Sequence, residues 1–177
     1  MNDPSAAAAR PSVTVREGRE SDVDAVVDMV NELAAYERAA DQVRLTPEQL
    51  HRALFAGAAP DGSRAAYLLV AEVEDVTVGF ALWFLNFSTW EGVHGIYLED
   101  LYVEPAHRGS GLGKALLTAL AEIAVQRGYA RFEWWVLDWN APAIGFYRSL
   151  GAVPQDAWTT FRVDGEALRA LGTRPSP

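Results

Sequence analysis

Residues 97–114 read Tyr97-Leu98-Glu99-Asp100-Leu101-Tyr102-Val103-Glu104-Pro105-Ala106-His107-Arg108-Gly109-Ser110-Gly111-Leu112-Gly113-Lys114. The stretch to Val103 is an apolar, β-favouring run broken by two acids. The stretch from Arg108 is glycine-rich and leads into a helical pattern at Lys114. Alternate glycines remove Cβ atoms, so successive backbone N–H groups can approach an anion closely. A helix N-terminus adds partial positive charge, and Arg108 adds a full one. A tight turn without a ligand would use the same residues. Two familiar phosphate loops are excluded. The G-x-x-x-x-G-K-[ST] pattern finds Arg108 in place of its first glycine and Ala115 in place of its hydroxyl. A dinucleotide fingerprint begun at Gly109 needs glycine where Lys114 stands.

Downstream, Lys114 to Gln126 is predicted as a helix, nearly apolar all round and therefore buried on several sides, with Gly128 as C-cap. Arg131 to Leu137 reads as a strand. Ala141 to Leu150 reads as a helix between Asn140 as cap and Gly151 as stop, Trp158 to Val163 as a last strand, and Asp164 as the cap of a short terminal helix. Upstream, strands are expected at Gly95 to Val103, Val78 to Phe87, Ala66 to Val73 and Val13 to Arg16, with Glu74-Asp75-Val76-Thr77 parting the middle pair. Thr46-Pro47-Glu48-Gln49 opens one helix, with proline at its first position. Ser21 is expected to cap another, which carries Val23, Val26, Val27, Val30, Leu33 and Ala34 on one stripe. The order predicts an α/β (α+β) domain with one central sheet. Residues 12–172 are expected to form it, with 1–11 a disordered leader and 173–177 a flexible tail.

The 177 residues suit one domain, and 24 acidic against 15 basic side chains give a net charge of −9. That balance argues against nucleic acid and anionic membranes as partners and favours cationic ones. Without cysteine there is no disulfide, cysteine nucleophile or thiolate metal site, and His51, His94 and His107 are too scattered to suggest a metal centre. No apolar run approaches the ~18 residues of a membrane helix. An acid stands near the N-terminus where a signal peptide carries bases, so a cytoplasmic location is expected.

The run Arg108-Gly109-Ser110-Gly111-Leu112-Gly113 after a strand resembles the acyl-CoA pyrophosphate loop of the GNAT N-acetyltransferase superfamily. Asn140, Ala143-Ile144-Gly145-Phe146-Tyr147 and Leu150-Gly151-Ala152 resemble that superfamily's N-x-x-A-x-x-F-Y segment. More narrowly, Tyr36-Glu37, Ser88-Thr89-Trp90, Tyr97 to Val103 and Leu137-Asp138-Trp139-Asn140 are similar to the diamine (spermidine/spermine) and thialysine acetyltransferase branch. The resemblance runs from about Val13 to Leu171. It implies a mixed, mostly antiparallel sheet, splayed at the acetyl-CoA site and flanked by helices.

The resemblance also implies roles. Arg108 to Gly113 with Lys114 would hold the pyrophosphate of acetyl-CoA, and the backbone of Leu101, Tyr102 and Val103 would hold the acetyl and pantetheine amide groups. Asn140, Ala143 and Tyr147 complete the expected cofactor set. Tyr147 is the expected general acid, since a phenol of pKa ~10 can protonate a departing thiolate. Read alone, it would be an amphipathic core residue beside Phe146 and Leu150. Neighbouring strand residues face opposite sides, so one of Glu99 and Asp100 enters a given face. The resemblance selects Glu99 for the amine and leaves Asp100 to a strand-edge salt bridge. Tyr36, Glu37 and Trp90 fall at the amine end. Glu133 and Trp135 are further expected contacts, at positions where the polyamine enzymes carry other residue types.

These readings predict acetyl transfer from acetyl-CoA to a primary amine of a small cation, by direct attack in a ternary complex of a homodimer. A protein or peptide amine as acceptor, and a non-catalytic acyl-CoA-binding module, are the alternatives.

Overall fold

The computed structural model describes residues 12–57 and 61–173, so the leader expected at 1–11 and residues 174–177 of the expected tail lie outside the described residues. The chain divides into two compact units, Met1–Trp135 and Val136–Pro177.

The first unit holds one open sheet in the order β1-β2-β3-β4-β5, from β1 (Val13–Glu17), β2 (Tyr67–Val73), β3 (Val76–Ser88), β4 (Val93–Val103) and β5 (Phe132–Trp134). The first four strands pair antiparallel, and β5 joins β4 in parallel. This is the mixed, mostly antiparallel sheet that the resemblance implies. Glu74 and Asp75, with φ of 51° and 65°, close the β2–β3 hairpin as a two-residue turn, tighter than the four-residue stretch expected. Helices α1 (Val23–Tyr36) and α2 (Pro47–Leu54) cover one sheet face. Val23, Val26, Val27, Met29, Leu50 and Leu54 pack there on Leu68, Val70, Phe80 and Tyr102. The alternate residues Leu69, Ala71, Ala81, Trp83, Ile96 and Leu98 are buried toward the other face, with α3 (Leu112–Gln126) packed on the sheet.

Two local expectations are corrected in this unit. Ser21 does not cap α1: a 3-10 turn, Glu20–Asp22, precedes the helix, and Asp22 stands at the cap position. The buried Asp22 carboxylate accepts from the Arg19 N–H at 2.7 Å and from Arg16 at 2.7 and 2.9 Å, and Arg16 also pairs with Glu72 of β2. Burial pushes the Asp22 carboxyl up, but the hydrogen bonds from Arg16 and the Arg19 N–H outweigh it and hold it below the usual range. Helix α3 is buried on one face only. Leu112, Leu116, Leu117, Leu120 and Ala124 face inward, whereas Thr118, Ala121, Glu122 and Val125 face water. Much of its apolar character is alanine, which contributes little area wherever it points.

The second unit contains α4 (Ala141–Ser149) and α5 (Gly165–Gly172). Asn140 caps α4 as expected, its Oδ1 accepting from the Ala143 N–H at 3.3 Å, and Gly151, at φ 89°, follows the C-cap Leu150. The strand expected at Trp158 to Val163 does not form, and Trp158 and Phe161 are 73% and 91% exposed. The strand expected at Arg131 to Leu137 shrinks to the three residues of β5.

Candidate active site

Strand β4 carries Glu99 and Asp100, and its register decides which side chains meet. Leu82 pairs with Asp100 and Trp83 with Leu98, so Glu99 is an extra residue, a β-bulge. Simple alternation therefore fails here. Glu99 and Asp100 sit together opposite Leu82, which packs against the α1–α2 cluster. Glu37, at the C-cap of α1, acts on the same point. Burial, then the charges of Glu99 and Glu37, push the Asp100 carboxyl from 3.8 up to about 6. Burial alone raises Glu37. The salt bridge expected for Asp100 is absent among the described residues, and Asp100 is the more buried of the two acids. No residue-type pattern marks a bulge, so the sequence could not show that both acids stand opposite Leu82.

The other expected amine contacts divide. Tyr36 ends α1 beside Glu37, and Trp135 meets Tyr97 edge-on at 5.7 Å. Glu133 is engaged elsewhere: its Oε2 accepts from Asn86 Nδ2 at 2.7 Å and pairs with Arg131 Nε at 2.8 Å. Asn86 reaches across β4 above Gly95, where a Cβ would lie 2.5 Å from Asn86 Oδ1. Trp90 is 88% exposed at the β3–β4 turn. Six strand residues at ~3.3 Å each put it ~20 Å along the ribbon from the position of Leu82 and Asp100, so the structure does not bring it to the acids.

Strand β5 ends with Trp134 opposite Leu98, and β4 continues through Val103. No further sheet strand flanks Leu101 to Val103 on that side among the described residues, which leaves an edge for an extended amide. The connection then passes through Arg108, Gly109, Ser110 and Gly111. Gly109 and Gly111 have φ of 78° and 92°, a backbone that side chains with a Cβ rarely adopt. Among the described residues no side-chain hydrogen bond caps the α3 N-terminus, so the first N–H groups of Leu112, Gly113 and Lys114 are open to an anion. The loop therefore fits a pyrophosphate. Ser110 Oγ donates to the His107 carbonyl at 2.6 Å, and Arg108 turns away from the loop, its Nε–H donating to the Val103 carbonyl at 2.9 Å.

In the second unit, Tyr147 is half-buried on α4, its ring 5.4 Å from that of Phe146, and its carbonyl accepts the N–H groups of Leu150 and Ala152. Ala143 sits one turn earlier, held by the Asn140 cap.

Residues 26–152 match the Acetyltransferase (GNAT) family. The chain belongs to the GNAT acetyltransferases. As a member it is an N-acetyltransferase that uses acetyl-CoA as co-substrate. This GNAT chain is 39% identical over 166 residues to the thialysine N-epsilon-acetyltransferase of Sus scrofa, covering 90% of this chain and 97% of the relative. It is 43% identical over 101 residues to an L-ornithine N5-acetyltransferase of Arabidopsis thaliana, over 56% of this chain and 44% of the relative. Among solved structures, an integron cassette protein of V. cholerae superposes with a TM-score of 0.74 at 25% identity, covering 92% of this chain and 99% of that one. No described helix is long and apolar enough to cross a membrane, and no described group of three His, Asp or Glu side chains could hold a metal.

Proposed function

We propose that this acetyltransferase carries the acetyl group of acetyl-CoA to a primary amine of a small molecule bearing a second positive charge, such as thialysine, ornithine, a diamine or a polyamine. The observation that carries the reading is the half-buried Asp100, beside Glu99 and Glu37 and pushed up to about 6 by burial and by those charges. Such a group is costly to ionise until a cation arrives, and a dication supplies one charge for the acids besides the nitrogen that reacts. The names of the relatives support it, since thialysine and ornithine each carry two amines.

In this reading Arg108 to Lys114 frame the pyrophosphate loop, the edge of Leu101 to Val103 receives the pantetheine arm, and Asn140 and Ala143 complete the cofactor contacts. The amine attacks the thioester carbonyl directly, since there is no cysteine to carry the acetyl group. Tyr147 donates its phenolic proton to the departing sulfur. Glu99, exposed beside Asp100, takes the ammonium proton through water. The domain over residues 12–172 is part of the proposal, and the family match over residues 26–152 lies within it. Cytoplasmic action as a homodimer is part of the proposal, and light scattering at twice 19.3 kDa would bear out the dimer.

The test is acetyl-CoA-dependent thiol release with thialysine, ornithine, a polyamine and a monoamine of equal length. The dications are expected to show the higher kcat/KM, with the advantage shrinking as salt rises. Equal rates for the monoamine, or a preference for a peptide N-terminus, would overturn the assignment.

A further inference from the structure

The face of the sheet that α1 and α2 cover continues past Asp100 in a second tier of side chains. Leu82 and Phe84, alternate residues of β3, stand opposite Asp100 and Tyr97, so these two positions of β4 lie on one face about 7 Å apart. Phe84 and Tyr97 do meet, with their rings stacked at 4.9 Å, and Trp135 closes on Tyr97 edge-on. Glu133 of β5 is the parallel partner of Tyr97 and therefore joins the same face. One step further, a Cβ on Gly95 would lie 2.5 Å from Asn86 Oδ1 and 2.7 Å from Arg131 Cγ. The bare glycine thus lets Asn86 and Arg131 lean over β4 from either side. Both reach the same oxygen, Glu133 Oε2, Asn86 Nδ2 at 2.7 Å and Arg131 Nε at 2.8 Å. The Arg131 charge is in this way matched to Glu133 before any substrate arrives.

A diamine and a diamino acid offer the same two ammonium groups, but the diamino acid adds a carboxylate on the carbon that bears the second one. With that ammonium at Asp100, the carboxylate falls between two unfavourable surfaces. On one side are Asp100 and the charges that act on it, Glu99 and Glu37. On the other are the rings of the next tier, whose faces carry negative charge density and suit ammonium groups and methylenes. The cation of that tier, Arg131, already has Glu133 for a partner. Leaving one ligand's charge unpaired, with no added contact to its competitor, is a physical route to telling close analogues apart.

We propose that the Glu133–Arg131 pair is a specificity determinant that holds the site to diamines and polyamines and turns away diamino acids, because Glu133 keeps Arg131 from a substrate carboxylate. This rests on the amine site proposed above and narrows its acceptors. The pair acts on the bound substrate's charge rather than on the reacting atoms, so its effect belongs chiefly in KM for the amine.

The experiment measures kcat and KM for matched substrates that differ only by a carboxylate: ornithine with 1,4-diaminobutane, and thialysine with bis(2-aminoethyl) sulfide. The full chain is set against Glu133→Gln, Arg131→Gln and the double variant. In the parent each diamine is expected to exceed its diamino acid in kcat/KM by about tenfold, ~1.4 kcal/mol. Glu133→Gln keeps an acceptor for Asn86 but releases Arg131. It should raise kcat/KM for the diamino acids about fivefold, mostly through KM, and lower it about twofold for the diamines. In the double variant the diamino acids should fall back to the parent's values, since the gain requires Arg131. Arg131→Gln leaves Glu133 without its cation and should cost the diamino acids about threefold more; it carries the test should Glu133→Gln fail to fold. Equal kcat/KM within both pairs, in a parent that prefers dications, would overturn this selection and leave the amine site standing. No gain for the diamino acids in Glu133→Gln, or a gain that survives in the double variant, would overturn it as well. A parent with no preference for dications overturns the amine site, and this assignment with it.

Discussion

Asp100→Asn separates a designed acidic site from an incidental strand residue. The carboxyl is shifted from 3.8 to about 6, roughly two units, and each unit is worth ~1.4 kcal/mol. Because the folded pKa is raised, folding disfavours the charged form. The penalty is absent below pH 3.8, grows as pH rises toward about 6, and is full above it. Removing the charge should therefore stabilise the protein at pH 7.5 by at most ~3 kcal/mol, or ~6–12 °C in Tm for a chain of this size. At pH 4 it should change little. The measured gain will fall below that ceiling, because the amide must itself be solvated or hydrogen-bonded.

The same substitution should raise KM for a dication and flatten its pH dependence, since in the parent KM climbs as pH falls through about 6. A bound ammonium restores the ordinary acidity of Asp100, so amine binding near pH 6 should release roughly half a proton. Calorimetry in two buffers of different ionisation enthalpy reads that release directly. A Tm change equal at pH 4 and 7.5, or no proton release in the parent, would refute the reasoning.

Three further outcomes are expected. Tyr147→Phe, which removes only a hydroxyl, should keep CoA binding by calorimetry and lower kcat ~10²-fold, the usual scale of general-acid effects; an unaltered kcat would assign the proton to water or another group. Gly111→Val forces a β-branched residue into φ 92° at the α3 N-cap and should abolish CoA binding while far-UV circular dichroism stays close to the parent's. Asp22→Ala removes two of the charge-assisted bonds of Arg16 and leaves it to Glu72 alone, which should cost ~1.5–3 kcal/mol at neutral pH. Because the Asp22 carboxyl is held low, that stability is lost as pH falls through its depressed pKa, so parent and variant melting curves should converge in acid.

What the sequence disclosed was local. Thr46 and Gln49 form the reciprocal cap that their spacing announces, and the glycine loop leads into α3 as read. What it concealed depended on partners distant in the chain. Asp22 stands at the cap position tied to Arg16 of β1, which Glu72 of β2 holds in turn, and no window around residue 21 contains Glu72. Trp158 to Val163 alternates like a strand, but alternation records two faces and not a partner, and the segment stays unpaired and exposed. In the site, the loop and the α4 cap were legible as motifs. The bulge that sets Asp100 beside Glu99 opposite Leu82 was not, since pairing register is invisible in residue type.

The extra residue in β4 also makes the acidic site a matter of parity. Ile96 and Leu98 point to one face before the bulge, and Asp100 and Tyr102 to the other after it. Both halves of the strand are even-numbered where they matter, and one uncounted position lets them serve opposite layers. A deletion of a single codon at position 99 would close the bulge without moving either half, because Leu98 and Asp100 already stand opposite consecutive residues of β3, Trp83 and Leu82. Ile96 and Leu98 would keep their layer, and Asp100 and Tyr102 theirs. A residue lost elsewhere in the strand with the bulge kept would slide one half by a single position and turn its side chains to the wrong layer. The bulge is thus a point at which β4 can shorten by one residue and keep both of its faces.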